Sequence, residues 1–137
     1  MRITHLGHAC LLVDAGGQRI LIDPGAFSPG IAGVTGIDVV LVTHQHGDHV
    51  DLQRLPALLE ANPQARLYAE PQAAAVMEEA GIAAEPTVSG AAVPVGPGEV
   101  PAVWQKHAWN NGARPAIRNH GHVPRSRGGR ASLYPAA

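Results

Sequence analysis

The apolar run Val39-Val40-Leu41-Val42 leads directly into Thr43-His44-Gln45-His46-Gly47-Asp48-His49, and no other stretch limits the fold as tightly. A continuous, mostly β-branched run of this length reads as a strand buried on both faces. At its exit, three imidazoles and a carboxylate fall within six positions. Residues two apart on an extended segment point the same way, so His44 and His46 are able to grip one ion together. Gly47 then frees the backbone to turn, which carries Asp48 and His49 to a second position beside the first. Imidazole and carboxylate are the ligand types of a catalytic zinc-type ion. The competing reading is a polar loop that is histidine-rich by accident. Residue frequencies give that pattern by chance in roughly one such sequence per thousand. A metal site is the reading carried forward.

The rest of the chain supplies a scaffold for it. Arg2–His5, Ala9–Asp14 and Gln18–Asp23 are short apolar-rich stretches, the last two separated by Ala15-Gly16-Gly17, a hairpin signal. Residues 24–36 are punctuated by Gly and Pro and predict a loop across the mouth of the site. Asp51–Ala61 carries Leu52, Leu55, Leu58 and Leu59 on one helical face and stops at Asn62-Pro63. Gln64–Ala69 predicts a strand, and Pro71–Ala80 a helix with Pro at its start and Gly81 at its end. Thr87–Val95 and Glu99–Trp104 predict strands of a further sheet. Alternating strands and helices point to an α/β layer structure.

Composition narrows the function. A chain of 137 residues suits a single domain that buries a core. A net charge of −1 offers no electrostatic case for nucleic acid or an anionic membrane. Cys10 is the only cysteine, so no intrachain disulfide forms, and a reducing cytoplasm is the expected home. Neither a basic-then-apolar leader nor a membrane-length apolar run is present in the sequence. Cys10, between Ala9 and Leu11, reads as a small buried apolar residue with no base placed to activate it. From Val100 onward there are five arginines and one lysine but no Asp or Glu. Residues 108–137 therefore read as an irregular basic tail, disordered or the product of a frameshift or truncation. A basic arm for nucleic acid is the other reading of that tail, disfavoured by its shortness and few aromatics.

His44-x-His46-x-Asp48-His49 after a buried strand resembles the signature of the metallo-β-lactamase fold superfamily. Met1-Arg2-Ile3-Thr4-His5-Leu6-Gly7-His8-Ala9-Cys10 and Ile20-Leu21-Ile22-Asp23-Pro24 extend the match over about residues 1–107. Within the superfamily they resemble a branch of small, mostly bacterial metal-dependent hydrolases that includes ascorbate-6-phosphate lactonase-like proteins. The resemblance implies an α/β fold, the αββα sandwich, of which this chain holds the N-terminal half in an incomplete domain 1–107. It implies zinc, one or two ions, with manganese or iron as substitutes. The implied metal ligands are His44, His46, Asp48, His49 and His107, with Asp48 also catalytic, orienting a metal-activated water or accepting its proton. Asp23 and His8 are implied to support the ligands without binding metal, since a ligating imidazole needs its other nitrogen held. An Asp-Pro turn is the alternative role for Asp23, and a purely structural histidine the alternative for His8. The family's later Gly-Asp pair and final histidine do not appear.

The implied activity is hydrolysis of a small-molecule ester, lactone, amide or phosphodiester. The alternative is a non-catalytic metal-binding remnant that has lost its C-terminal ligands. A nucleic-acid-processing relative is a third reading, which the near-neutral charge opposes. With the second sheet mostly missing, self-association through an uncovered sheet face is expected.

Overall fold

The computed structural model describes residues 1–106 and 118–122. Its first sheet opens with an antiparallel meander of β1 (Arg2–Gly7), β2 (Cys10–Ala15) and β3 (Gln18–Ile22). The tight turn between β2 and β3 works because Gly16 and Gly17 adopt φ of 60° and 79°, which residues with a Cβ resist. Beyond β3 the pairing changes direction. Strands β4 (Val39–Val42), β5 (Arg66–Ala69) and β6 (Glu85–Pro86) add in parallel, giving the order β1-β2-β3-β4-β5-β6.

All four residues of β4 are buried, as a strand covered on both sides requires. Alternation along the strands divides the apolar residues between two cores. Leu21, Val40, Val42, Leu67 and Ala69 face helices α1 (Leu55–Glu60) and α2 (Pro71–Glu79), meeting Leu55, Leu58, Ala73 and Met77. Ile20, Ile22, Val39, Leu41 and Tyr68 face the other way, onto Val93, Val95 and Val100. Those three valines belong to the second sheet, formed by β7 (Ala92–Val95), β8 (Gly98–Lys106) and β9 (Arg118–His122) in antiparallel order. Helices, first sheet and second sheet thus stack as three layers among the described residues. None of the helices there is long and apolar enough to cross a membrane.

Several boundaries differ from the sequence expectation. The helix expected over Asp51–Ala61 begins at Leu55, because Asp51 holds the preceding turn instead. Its Oδ1 accepts from the backbone N–H groups of Gln53 and Arg54, and its carbonyl accepts from Leu55. Asn62 does more than stop the helix. Buried, it accepts from the Ile37 N–H and donates to the carbonyls of Val34 and Leu58, tying α1 to the loop before β4. Helix α2 matches its expected start, with Glu70 capping the N–H groups of Gln72 and Ala73 and Pro71 at the first turn. The two-residue β6 was not anticipated. Nor was β9, which lies within the stretch 108–137 and pairs with β8 from Ala102↔His122 to Lys106↔Arg118. Its local sequence, Arg-Asn-His-Gly-His, has no strand pattern, so the neighbouring strand supplies its order.

Candidate metal centre

Parallel pairing of β3 with β4, in the register Ile22↔Leu41, brings both strands to an end at the same edge of the sheet. Asp23 leaves β3 there and Thr43 leaves β4. In open sheets with parallel strands, this carboxyl-end edge is where ligand sites collect. Asp23 adopts φ of 50°, a left-handed conformation that Asp tolerates better than most residues. Its carboxylate is fully buried. Oδ1 accepts from the Thr43 N–H at 2.8 Å, and Oδ2 accepts from the Thr43 hydroxyl at 2.6 Å and from His49 Nδ1 at 2.9 Å. One carboxylate therefore fixes both the start of the histidine loop and its last member.

The contact with Asp23 settles the orientation of His49. Against a carboxylate acceptor, Nδ1 carries the proton, which leaves the Nε2 lone pair facing away, 3.9 Å from Asp48 Oδ2. Burial alone would depress the His49 pKa, but the Asp23 hydrogen bond and the charges of Asp23 and Asp48 outweigh it and hold the value above 6.5. Asp48 shows the mirror image. Its partial burial pushes its carboxyl up, yet the hydrogen bond from His8 and the neighbouring histidines bring it below its ordinary 3.8.

His44 and His46, two apart on the exit of β4, do converge. His44 Nε2 and His46 Nδ1 stand 2.7 Å apart, one donating and the other accepting, and the rings meet edge to face at 4.2 Å. The His44 ring also lies 5.2 Å from that of His49, which in turn lies 5.9 Å from that of His8. His8 arrives from the turn between β1 and β2, forty positions earlier than Asp48, and its Nε2 sits 3.0 Å from Asp48 Oδ2. Four imidazoles thus line one edge with a carboxylate among them.

Residues 24–28 clamp this arrangement from outside. The Ala26 N–H donates to the Gly47 carbonyl at 2.8 Å and the Asp51 N–H to the Pro24 carbonyl at 3.1 Å. Gly25 lies so close to the Asp48 backbone that any Cβ there would overlap the Asp48 carbonyl. Arg54 donates to the carbonyls of Ala26 and Ser28 from the far side. Phe27 projects into solvent beside the site, its ring edge-on to His8 at 5.8 Å. The loop expected at the site's mouth does lie there, and it is stitched down.

Donor chemistry suits a zinc-type cation. Among the described residues, His8, Asp48 and His49 each offer a ligand atom within 4.8 Å of the others. His44 and His46 offer a second pair beside them. Of the ligands expected from sequence, His44, His46, Asp48 and His49 come together, Asp23 accepts a hydrogen bond from His49, and His107 lies outside the described residues. His8, expected to play a supporting part, contacts Asp48 directly. Thr43 and Gly25 were missed. A hydroxyl residue at a strand exit just before a histidine run was the available signal for Thr43, whereas nothing local marks Gly25. Cys10 is buried and its thiol is pushed up to about 12 by that burial, so it is no nucleophile.

Comparison with known proteins places this geometry in context. The model of a beta-lactamase superfamily domain matches residues 2–130. Protein Rv0786c of Mycobacterium tuberculosis is 57% identical over 79 residues, covering 58% of this chain and 37% of that protein. A metal-dependent hydrolase of Aeropyrum pernix is 38% identical over 89 residues, covering 61% of this chain and 33% of its own length. The match thus spans only about a third of the length of each of these two relatives. Among solved structures, a candidate metal-dependent hydrolase from Parabacteroides distasonis superposes with a TM-score of 0.68 at 20% identity, over 88% of this chain and 54% of that one.

Proposed function

The chain belongs to the beta-lactamase superfamily domain family, and from that membership we propose that it is a metal-dependent hydrolase working at the edge of its first sheet. One observation carries the reading. His49 has its Nδ1 committed to the buried Asp23, so its Nε2 is turned toward Asp48 in a row of imidazoles. A supporting carboxylate behind a ligand histidine is the usual device for fixing tautomer and direction at a metal.

His44, His46, Asp48 and His49 are the proposed ligands, and zinc is the proposed metal, with manganese or iron as substitutes. Bound there, such an ion would supply Lewis acidity and bring the pKa of water from about 15.7 toward 7. Everything else falls to side chains of this chain. Asp48 orients the attacking water and takes its proton, and a carboxyl held below 3.8 is ionised and ready to do so at neutral pH. Asp23 holds His49 and the loop entrance in place, so little rearrangement accompanies reaction. The clamped loop 24–28 shields one side, and Phe27 offers an apolar wall at the mouth.

The proposed substrate is a small ester, lactone, amide or phosphodiester in the cytoplasm. A net charge of −1 gives no electrostatic case for nucleic acid or an anionic membrane as the partner. Elemental analysis of the purified full chain and of the double variant His44→Ala/His46→Ala tests the metal. Bound metal is expected in the parent and loss of the metal held by His44 and His46 in the variant; full occupancy in the variant would end the reading. Hydrolysis of generic esters and phosphodiesters by the parent and by Asp48→Asn tests the chemistry. The amide should lower turnover sharply while the fold survives. Stoichiometric metal without any turnover would favour a non-catalytic remnant.

A further inference from the structure

We infer that His8 is itself a metal ligand, completing with Asp48 and His49 a three-residue site beside the His44–His46 pair. The inference rests on the proposed metal-dependent reading and goes beyond it, since His8 was expected only to support the ligands.

Geometry is the first argument. A nitrogen and an oxygen bound to one zinc-type ion at about 2.0–2.2 Å stand roughly 3–3.5 Å from each other. His8 Nε2 is already 3.0 Å from Asp48 Oδ2. His49 Nε2 lies 3.9 Å from the same oxygen, less than 1 Å outside that range. Two imidazole nitrogens therefore converge on one carboxylate oxygen, and the three ligand atoms lie within 4.8 Å of one another.

Backbone conformation is the second. His8 adopts φ of 47°, a left-handed conformation that residues with a Cβ take up at a cost. The turn is held in that state from both ends. His5 Nε2 donates to the His8 carbonyl at 2.6 Å, and the Ser28 hydroxyl donates to the Gly7 carbonyl at 3.1 Å. Gly7, at φ of 119°, presses so closely on the loop that a Cβ would come within 2.8 Å of the Phe27 carbonyl oxygen. A histidine that only decorated the surface would not call for such a fixture. Phe27 adds a ring contact at 5.8 Å on the same imidazole.

Exposure is the third. The His8 side chain remains 42% exposed, so the face it shares with Asp48 stays open to solvent. Catalytic metal sites keep an open position of this kind, whereas structural sites are closed.

Cobalt, a spectroscopic stand-in for zinc, separates a ligand from a mere support. The chelator-stripped full chain would be titrated with Co2+ by its visible absorption, alongside His8→Asn and His44→Ala/His46→Ala. Asn tolerates the left-handed backbone and keeps a hydrogen-bonding side chain but lacks the imidazole. The parent should take up two equivalents. His8→Asn should keep one with parental affinity and bind the other more weakly by over 100-fold, beyond the roughly 10–100-fold that follows loss of a supporting contact. The double histidine variant should show the reverse pattern. Parental affinity for both equivalents in His8→Asn would overturn the inference and leave the hydrolase reading intact, whereas a parent that binds no metal would overturn both. Should His8→Asn fold poorly by circular dichroism, His8→Gly adopts the same backbone without strain and decides the question by the same titration.

Discussion

At the edge where β3 and β4 end, Asp23 is fully buried and accepts from Thr43 and His49. On the opposite side of the same sheet, Asp14 also gathers donors, from the guanidinium groups of Arg2 at 2.7 Å and Arg19 at 2.8 Å, but at the protein surface. Arg19 is itself tied by its N–H to Asp38 and by its side chain to the Thr35 carbonyl. The residue type and the number of partners are alike; the surroundings are not. Water and salt screen an exposed carboxylate, so its hydrogen bonds exchange for solvent at little loss. A buried carboxylate has no such exchange, and removing it strands its donors. A hydrogen-bond cluster thus specifies geometry where solvent is excluded and mostly decorates where it is not.

Substitutions at the two edges should expose that contrast, beginning with the most severe. Gly25→Ala sets a methyl group against the Asp48 carbonyl, where backbone meets backbone and neither yields easily. A loss of about 3 kcal/mol or more is expected in urea unfolding, with the midpoint falling at constant slope. Wild-type stability in this variant would mean that loop 24–28 does not clamp the site. Asp23→Asn comes next. It preserves size and tolerates the left-handed backbone but turns an amide toward donors that need an acceptor. About 2 kcal/mol of stability should go, together with 10–100-fold in metal affinity by competition with a chelating dye. Unchanged metal affinity would detach Asp23 from the site.

Effects at the far edge should be much smaller. Asp14→Asn should shift the melting temperature only slightly, and less still in high salt. Hydrogen bonds from Arg19 and Arg2 hold the Asp14 carboxyl below 3.8, so its contribution is fully present above that value and is lost as pH falls through the lower folded value. Parent and Asp14→Asn should therefore differ slightly at neutral pH and converge in acid; a gap that widened in acid would reverse the assignment. Arg2→Ala should do least, because Arg19 still holds Asp14 and the Arg2 side chain is 71% exposed. A melting shift as large as that of Asp23→Asn would break the contrast altogether.

The same contrast explains what could be read from the sequence. His44, His46, Asp48 and His49 were legible because strand period and one glycine decide their directions locally. The burial of β4 and the division of Val39–Val42 between two cores followed from an unbroken apolar run. The support given by Asp23 was visible as an acid at the end of an apolar strand. His8 was harder. Its approach to Asp48 depends on a turn folding over a loop forty positions away, and spacing records nothing of that. Gly25 was silent for the same reason, since its role is a close approach between segments distant in sequence. The delayed start of α1 turned on the Asp51 side chain competing with the helix for backbone donors. Strand β9 depended on its neighbour more than on its own residues.

The row of imidazoles also has a bearing on how the molecule is born. His8, Asp23, His44, His46, Asp48 and His49 lie on or beside strands β1 to β4, which follow one another in the sheet as they do in the chain. The hairpins β1–β2 and β2–β3 close short loops and form early, whereas the parallel β3–β4 pairing closes a longer one and forms more slowly. At a synthesis rate of about 5–20 residues per second, the 57 residues from 50 to 106 (106 − 49), which carry both helices and strands β5 to β8, take roughly 3–11 seconds to follow His49 out of the ribosome. Until that stretch has emerged, the nascent polypeptide carries the proposed ligands from His8 to His49 without all of the helices and second-sheet strands that cover its cores.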